Sequence, residues 1–274
     1  MAKAKNIVPR TIGVIIKLFV ILVFMFPFLW MASLSLQTQK ETLVTTFLPK
    51  VPQFQNFVTA WSSGPFALYL RNSVVIVLTI MVVQMVIMVP AAYAFAKYDF
   101  KGKNILFTLV LVAFMTPTQI TFLPVYYMMG NWNLLRSLWP QIIPFLSNAF
   151  GIFLLRQYFM QIPDELIEAA KLDNAGELKI VYKVMLPLCK PAISTILLFG
   201  FVDHWNDYFW PLMMTTVEDF RPLTMGIAAL KDTEGIVNWN VVMAGNMLLV
   251  LPILLIYVFA SRYIIKAFAY SGIK

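Results

Sequence analysis

Two clusters hold most of the residues in this chain whose types and spacing suit chemistry. One runs from Pro163 to Pro187 and carries Asp164, Glu165, Glu168, Lys171, Asp173, Glu177, Lys179 and Lys183, a charged island in a chain that is 12% charged. The other is a polar and aromatic run: Asp203, His204, Trp205, Asn206, Asp207, Tyr208, Phe209, Trp210 and Pro211. Three chemistries compete for that second run. His204 beside a carboxylate could work as acid and base, but one His with no nucleophile motif, no HExxH and no further metal ligands leaves the pair without a reaction. Alternatively, the aromatics could anchor a helix at a membrane interface while Asp203 and Asp207 hydrogen-bond between helices. A third possibility is transport. Trp205 and Trp210 would then offer stacking faces, and Asn206 and Asp207 hydrogen bonds, to a polyhydroxylated solute on its way through a pathway or gate.

The elements that must position these residues follow from composition. A length of 274 residues, 60% of them hydrophobic and 15% aromatic, with a mean hydropathy of +0.77, excludes an ordinary soluble domain. Crossing a bilayer takes ~20 mostly apolar residues, and six stretches meet that demand: 12–32, 73–96, 104–127, 140–159, 192–213 and 241–261. The expectation is an all-α polytopic membrane protein with one domain over 1–274. The first stretch follows Lys3, Lys5 and Arg10 as a signal peptide would, but its length and the lack of a small-residue cleavage site before Gln37 favour a retained span. Pro90, Pro117 and Pro124 fall inside expected spans, where each would kink its helix, either passively or to serve a moving pathway.

Basic residues set the orientation. Four precede or begin span one, three lie between spans two and three, five between spans four and five, and three follow span six; only Lys40, Lys50, Arg71, Arg136, Arg221 and Lys231 fall on the other side. Both termini and the island at 160–191 are therefore expected in the cytoplasm. This distribution also accounts for the net charge of +8 without nucleic acid, since the charges are spread over short loops. The lone Cys189 has no disulfide partner within the chain and reads as a small packing residue. Along span five, ~1.5 Å per residue from Ala192 puts His204 at about 18 Å and Trp210 at about 27 Å, past the midplane and at the outer interface. Charged groups at that depth should face inward.

The island reads as helix, turn, helix. Pro163 can open a helix, Asp164 and Glu165 suit its N-terminal end, and Lys171 its last turn. Leu166, Ile167, Ala169 and Ala170 are expected on one side, with Asp164, Glu168 and Lys171 on the other. Asn174, Ala175 and Gly176 form the stop, and a second run from Glu177 to Met185 is closed by Pro187. Periodicity alone leaves open whether this hairpin is merely solvated or receives a partner.

Glu168-Ala169-Ala170, the turn at Asn174, then Val184 and Leu186-Pro187 resemble the EAA loop of the membrane subunits of binding-protein-dependent ABC importers. That pattern has Gly at the turn and usually Ile before Leu-Pro; Asn174 and Val184 are near equivalents. Pro52, Asn56-Phe57, Asn72-Ser73 and the string Trp205 to Leu212 are similar to those of carbohydrate-importer permeases. The resemblance implies a type I importer fold with a coupling helix, and an ATPase-contacting set of Glu165, Glu168, Ala169, Ala170, Asp173, Asn174, Leu186 and Pro187. It also implies a pathway or gate set of Trp205, Asn206, Asp207 and Trp210. The implied partners are a second permease subunit, two ATPase subunits that bind the ATP and Mg, and an extracytoplasmic solute-binding protein facing the loop from Met214 to Asn240. Membrane lipid surrounds the whole, in a bacterial inner membrane. The chain lacks a GxxxxGK(S/T) loop, so hydrolysis falls to the ATPases and this chain is expected to hold no catalytic residue, metal or cofactor. The short basic tail after Arg262 resembles one that reaches the ATPases. An ion-coupled secondary transporter working through Asp203 and Asp207 is the alternative.

Overall fold

In a computed structural model, residues 7–44, 46–231 and 237–270 are described, with side chains from Gly13 to Val258. Their regular structure is helical. In order, the helices are α1 (Ile7–Ser35), α2 (Gln39–Thr42), α3 (Gln55–Ser62), α4 (Phe66–Lys97), α5 (Lys103–Met115), α6 (Thr118–Asn131), α7 (Trp139–Ile142) and α8 (Ala149–Met160). They continue with α9 (Glu165–Leu172), α10 (Glu177–Lys179), α11 (Leu186–Leu188), α12 (Lys190–Asn206), α13 (Phe209–Met214), α14 (Leu223–Ala229) and α15 (Trp239–Tyr270). A π-helical stretch, Ile180–Met185, joins α10 to α11.

Among the described residues, four helical segments are long and apolar enough to cross a membrane: Gly13–Ser35, Phe66–Lys97, Trp139–Met160 and Trp239–Val258. Counting each of two sharply bent pairs as one span gives six. Several expected boundaries are corrected. Span three is not straight, because α5 and α6 meet at 99°. The cause is Pro117, which pushes Thr116 out of the helical region to φ −82°, ψ 118°. Pro90, by contrast, sits inside α4 without breaking it. The stretch expected as one span over 192–213 stops at Asn206, where Asp207 turns extended (ψ 124°) before α13 begins. A further bend of 86° separates Glu177–Leu188 from α12. The segment after span one holds two short helices, α2 and α3, and α4 starts seven residues before the expected Ser73. Past span six, α15 continues helical to Tyr270, so most of the expected tail is helix; its last four residues, Ser271 to Lys274, lie outside the described residues.

The chain divides into two compact units. The unit of residues 1–66 and 226–251 is centred on buried amides. Asn56 Nδ2 donates to Ser35 O and Gln37 O, both at 2.8 Å, and Asn240 Nδ2 donates to Asn56 Oδ1 at 2.8 Å. Gln37, fully buried, donates to Thr46 O at 3.0 Å. The Asn56 expected from the resemblance thus serves to pin the chain leaving α1. In the same unit, residues 14–29 of α1 present a nearly unbroken exposed apolar surface, as a lipid-facing span requires.

The unit of residues 67–225 and 252–274 contains α4 and a core that gathers Met88, Val89, Ala92 and Tyr93 from it, Ile152, Leu155 and Phe159 from α8, and Ala192 and Ile196 from α12. Gly151 lets α8 and α4 meet, for a Cβ there would run into the Met88 sulfur. Asn72 Nδ2 donates to Asp219 O (2.8 Å) and Arg221 O (3.0 Å), while Ser73 Oγ accepts from Leu223 N (2.8 Å), so the Asn72-Ser73 pair ties the loop after α13 to α4. Of the loop residues expected to face a binding protein, Glu218 is engaged by Tyr69 OH at 2.7 Å. Asp232, Glu234 and Gly235 lie outside the described residues.

Candidate functional site

Two sites emerge from the second unit. The first is the hairpin at 163–189. Its helix, α9, begins at Glu165 and ends at Leu172, with no side-chain cap from Asp164. Asn174 takes the left-handed conformation (φ 51°), and the amides of Asn174 and Ala175 donate to Lys171 O and Ala170 O, each at 3.0 Å. This doubly bonded C-terminal cap needs a residue that tolerates positive φ, and Asn is the best choice after Gly. Gly176 has ordinary backbone angles, so the turn depends on Asn174.

The expected faces of α9 are redrawn. Ile167 is buried and Ala170 packs on the same core, with Ala175 beside it. Leu166 and Ala169 are exposed, because at ~100° per residue Ala169 points almost opposite Ile167. Glu165, Glu168, Ala169, Leu172 and Asp173 therefore share one outward strip, spaced i, i+3, i+4, i+7 and i+8, with Leu172 84% exposed. The second arm is not closed by Pro187. It continues one residue to Leu188, since Pro187 falls in the first turn of α11, where a missing N–H is tolerated. Leu186 is half-buried against the core and Pro187 exposed, so these two do not lie on the α9 strip. Cys189 is buried behind the hairpin, and burial pushes its thiol up to about 11, as befits a packing residue.

The hairpin is fastened by residues that spacing did not reveal. Lys97, at the end of α4, donates to Ile162 O and Asp164 Oδ1, both at 2.6 Å. Tyr93 OH donates to Glu177 Oε2 at 3.4 Å, and Lys171 Nζ lies 3.5 Å from Glu177 Oε1. A hydrogen bond from Tyr98, and secondarily Lys171, holds the Glu177 carboxyl below its usual range; the same bond, with burial, pushes the Tyr98 phenol up.

The second site is a groove where three interrupted helices meet. The α5–α6 corner supplies Thr116 and Thr118, the gap before α8 supplies Phe145 and Asn148, and the end of α12 supplies Val202, Asp203 and His204. Two adjoining open cavities of about 460 and 760 Å³ share Thr118, Phe145, Val202, Asp203 and His204. Irregular backbone within a span is tolerated where it is buried or lines such a cavity.

Sequence reasoning placed Trp205, Asn206, Asp207 and Trp210 here; Asn206, Asp207 and Trp210 line the smaller cavity together, and Trp205 does not. Trp205 is buried and stacks on Phe201 with ring centroids 5.3 Å apart. Trp210 is buried too: its indole Nε1 donates to Pro140 O at 2.9 Å and its ring meets Phe145 edge-on at 5.1 Å. The fold takes up the Trp205 ring, which lines neither cavity, whereas Trp210, although buried, lines the cavity of about 460 Å³. Asp207 is half-buried, with Oδ1 accepting from Trp210 N at 3.2 Å and its carbonyl from Thr224 Oγ1 at 2.8 Å, so it organises the turn into α13. Asn206 and Asp203 are exposed, Asn206 donating to its own Val202 O at 2.9 Å.

Behind the groove lies a buried amide that sequence reasoning missed. Gln84 Nε2 donates to Phe145 O at 2.7 Å and sits 3.4 Å from His204 Nε2, while Gln84 Oε1 accepts from Asn148 Nδ2 at 3.3 Å. Because Phe145 O can only accept, the amide orientation is fixed, and His204 Nε2 must accept in turn. His204 thus acts as a hydrogen-bonded wall residue. A polar Gln or Asn within an apolar run was the available signal.

Comparison with known proteins agrees with this architecture. Residues 88–270 match the family described as binding-protein-dependent transport system inner membrane component. The arabinooligosaccharides transport system permease protein AraQ of Halalkalibacterium halodurans is 31% identical over 241 residues, 88% of this chain and 86% of that one. The sn-glycerol-3-phosphate transport system permease protein UgpE of Yersinia pestis bv. Antiqua is 31% identical over 81% of each chain. A chain from the crystal structure of a bacterial ABC transporter involved in the import of the acidic polysaccharide alginate superposes with a TM-score of 0.81 at 25% identity, covering 95% of this chain and 97% of that one. The chain described here belongs to the family of binding-protein-dependent transport system inner membrane components.

Proposed function

We propose that this permease forms half of a translocation pathway beside a second permease, that two ATPase subunits seat on the α9 hairpin from the cytoplasm, and that an extracytoplasmic binding protein delivers the solute. The observation that carries this reading is the outward strip of Glu165, Glu168, Ala169, Leu172 and Asp173 on a helix anchored from behind by Ile167 and Ala170. A short helix capped at Asn174 and fastened at both arms transmits rigid-body motion, whereas a loose loop would absorb it. Ala169 leaves room for close approach, and the acidic residues offer charge to a basic rim. Asn174 keeps the strip in place, and Leu186-Pro187 shape the return of the second arm. ATP and Mg belong to the ATPases. The termini lie in the cytoplasm, following the basic-residue distribution.

The solute is a sugar, an oligosaccharide or a glycerol-phosphate-like compound, as the relatives' substrates suggest. Within that range the groove favours an uncharged, polyhydroxylated solute. Asp203 and Asp207 line it together with Thr118, Gln119 and Asn206, and no Lys or Arg is among its described lining residues. At about 8 Å and an effective dielectric near 20, a carboxylate repels a like charge by about 2 kcal/mol. Ion-coupled secondary transport is not favoured, because an ATPase-facing hairpin has no place in it.

The test is a pull-down of the detergent-solubilised protein from its native membrane, followed by mass spectrometry. A second multi-span permease and a P-loop ATPase are expected. A homo-oligomer without an ATPase would refute the importer assembly.

A further inference from the structure

Both arms of the hairpin are fastened to the C-terminal end of one helix. Lys97 donates at 2.6 Å to Ile162 O and to Asp164 Oδ1 on the arm entering α9, and Tyr93, one turn back, reaches Glu177 on the arm leaving it. The Lys97 side chain is 9% exposed although its carboxylate partner is 74% exposed, so the ammonium is held inside while Asp164 reaches in from the surface. Thirteen residues earlier on the same uninterrupted helix, about 20 Å away, Gln84 holds Phe145 O and Asn148 and faces His204 at the groove. Pro90 lies between the two ends without breaking α4.

We infer that α4 is the lever between hairpin and groove, and that Lys97 is the positioning residue that locks the hairpin to it; this rests on the coupling role proposed above. A displacement of α9 pulls Asp164 and Ile162, which Lys97 passes to α4. The middle of α4 then shifts Gln84 against the gap before α8 and the wall at His204. Three elements bordering the groove share that one amide, so a small axial or rotational movement changes its width. Apolar contacts of Ile167 and Ala170 alone would let the hairpin slide, because they are non-directional; the two short, directed hydrogen bonds of Lys97 are what resist sliding.

The experiment uses the complete complex purified from its native membrane. The sole cysteine is replaced (Cys189→Ser) and Val202→Cys is introduced as a reporter in the groove wall, labelled by N-ethylmaleimide with and without ATP plus vanadate to trap the closed ATPase. With Lys97 present, trapping should change the labelling rate about tenfold, within the usual range of coupling between sites. Lys97→Met should retain the ATPase and lose most of that change, Lys97→Arg should restore it, and Lys97→Met with Asp164→Asn should be no worse than Lys97→Met alone. If Lys97→Met also sheds the ATPase, Asp164→Asn decides, since its exposed side chain can be altered without unfolding: a reduced change supports the lever and an undiminished one overturns it. An undiminished change in Lys97→Met with the ATPase bound overturns the lever and leaves the coupling function standing. Absence of any ATPase from the complex with Lys97 intact overturns both.

Discussion

The indole Nε1 of Trp210 lies 2.9 Å from the carbonyl oxygen of Pro140 and donates a hydrogen bond to it, joining the short helix beyond the break in span five to the first turn of span four. The ring is 3% exposed and packs edge-on against Phe145, which lies in the groove wall. Trp210 is thus held in place by the fold, and it also lines the cavity of about 460 Å³.

Trp210→Phe should keep most of the packing and lose one hydrogen bond, about 1 kcal/mol, while Trp210→Ala should cost about 3–5 kcal/mol. The expected result is a graded fall in thermal stability of the detergent-purified protein that tracks transport. A large loss of uptake in Trp210→Phe with unchanged melting would return this ring to direct contact with solute.

Asn174 sets a second prediction. Its φ of 51° makes Asn174→Gly neutral or mildly stabilising, whereas Asn174→Val forces a β-branched residue into the left-handed region at about 1–2 kcal/mol. The cap holds the end of α9, so Asn174→Val should lower the amount of ATPase recovered with the permease and Asn174→Gly should not. Equal recovery from both would mean the cap does not position the strip.

How far these sites were legible follows from what each depends on. The spans were legible because a 20-residue apolar run must cross or be buried, and the hairpin because Pro163, Asn174 and the charge pattern are local signals. The break at Asp207 was not, since its extended backbone depends on bonds to Trp210 and Thr224 made only in the fold. Nor was the burial of Trp205 and Trp210, for an aromatic near a membrane interface has the same sequence appearance whether it faces a pathway or a neighbouring helix. Lys97 looked like one more basic residue of a cytoplasmic loop; what distinguishes it is a partner 67 positions away. Thr116 before Pro117 was a readable break, and treating that proline as a kink within one span missed it.

The hairpin's pH response can be stated with its sign. Glu177 has its carboxyl held below the usual 4.5, chiefly by the hydrogen bond from Tyr98. A depressed carboxyl contributes stability above its unfolded value and loses it as pH falls through the folded one. Tyr98, raised from 10.0, contributes below pH about 10 and loses it as pH rises through its own folded value. Amide exchange at 164–177 should therefore be flat between about pH 5 and 9 after correction for intrinsic rates, and accelerate below that window. Tyr98→Phe should move the acid edge upward. An acid edge unmoved in Tyr98→Phe would show that this contact does not fasten the second arm.

The charge of the groove gives the last prediction. Asp203 is exposed in the groove wall, whereas Asp207 is partly committed to the turn into α13, so Asp203 is the carboxylate a passing solute would meet. With the binding protein, partner permease and ATPase unchanged, any shift in selectivity caused by Asp203 must arise in this chain. The unaltered complex should take up an uncharged oligosaccharide in preference to a polyol phosphate. Asp203→Asn should narrow that preference and Asp203→Lys should narrow it further, by about tenfold for each ~1.4 kcal/mol of repulsion replaced with attraction. Side-by-side uptake of the two radiolabelled solutes measures the ratio. An unaltered complex that prefers the phosphate, or a ratio indifferent to the charge at Asp203, would show that the groove wall does not select solutes by charge.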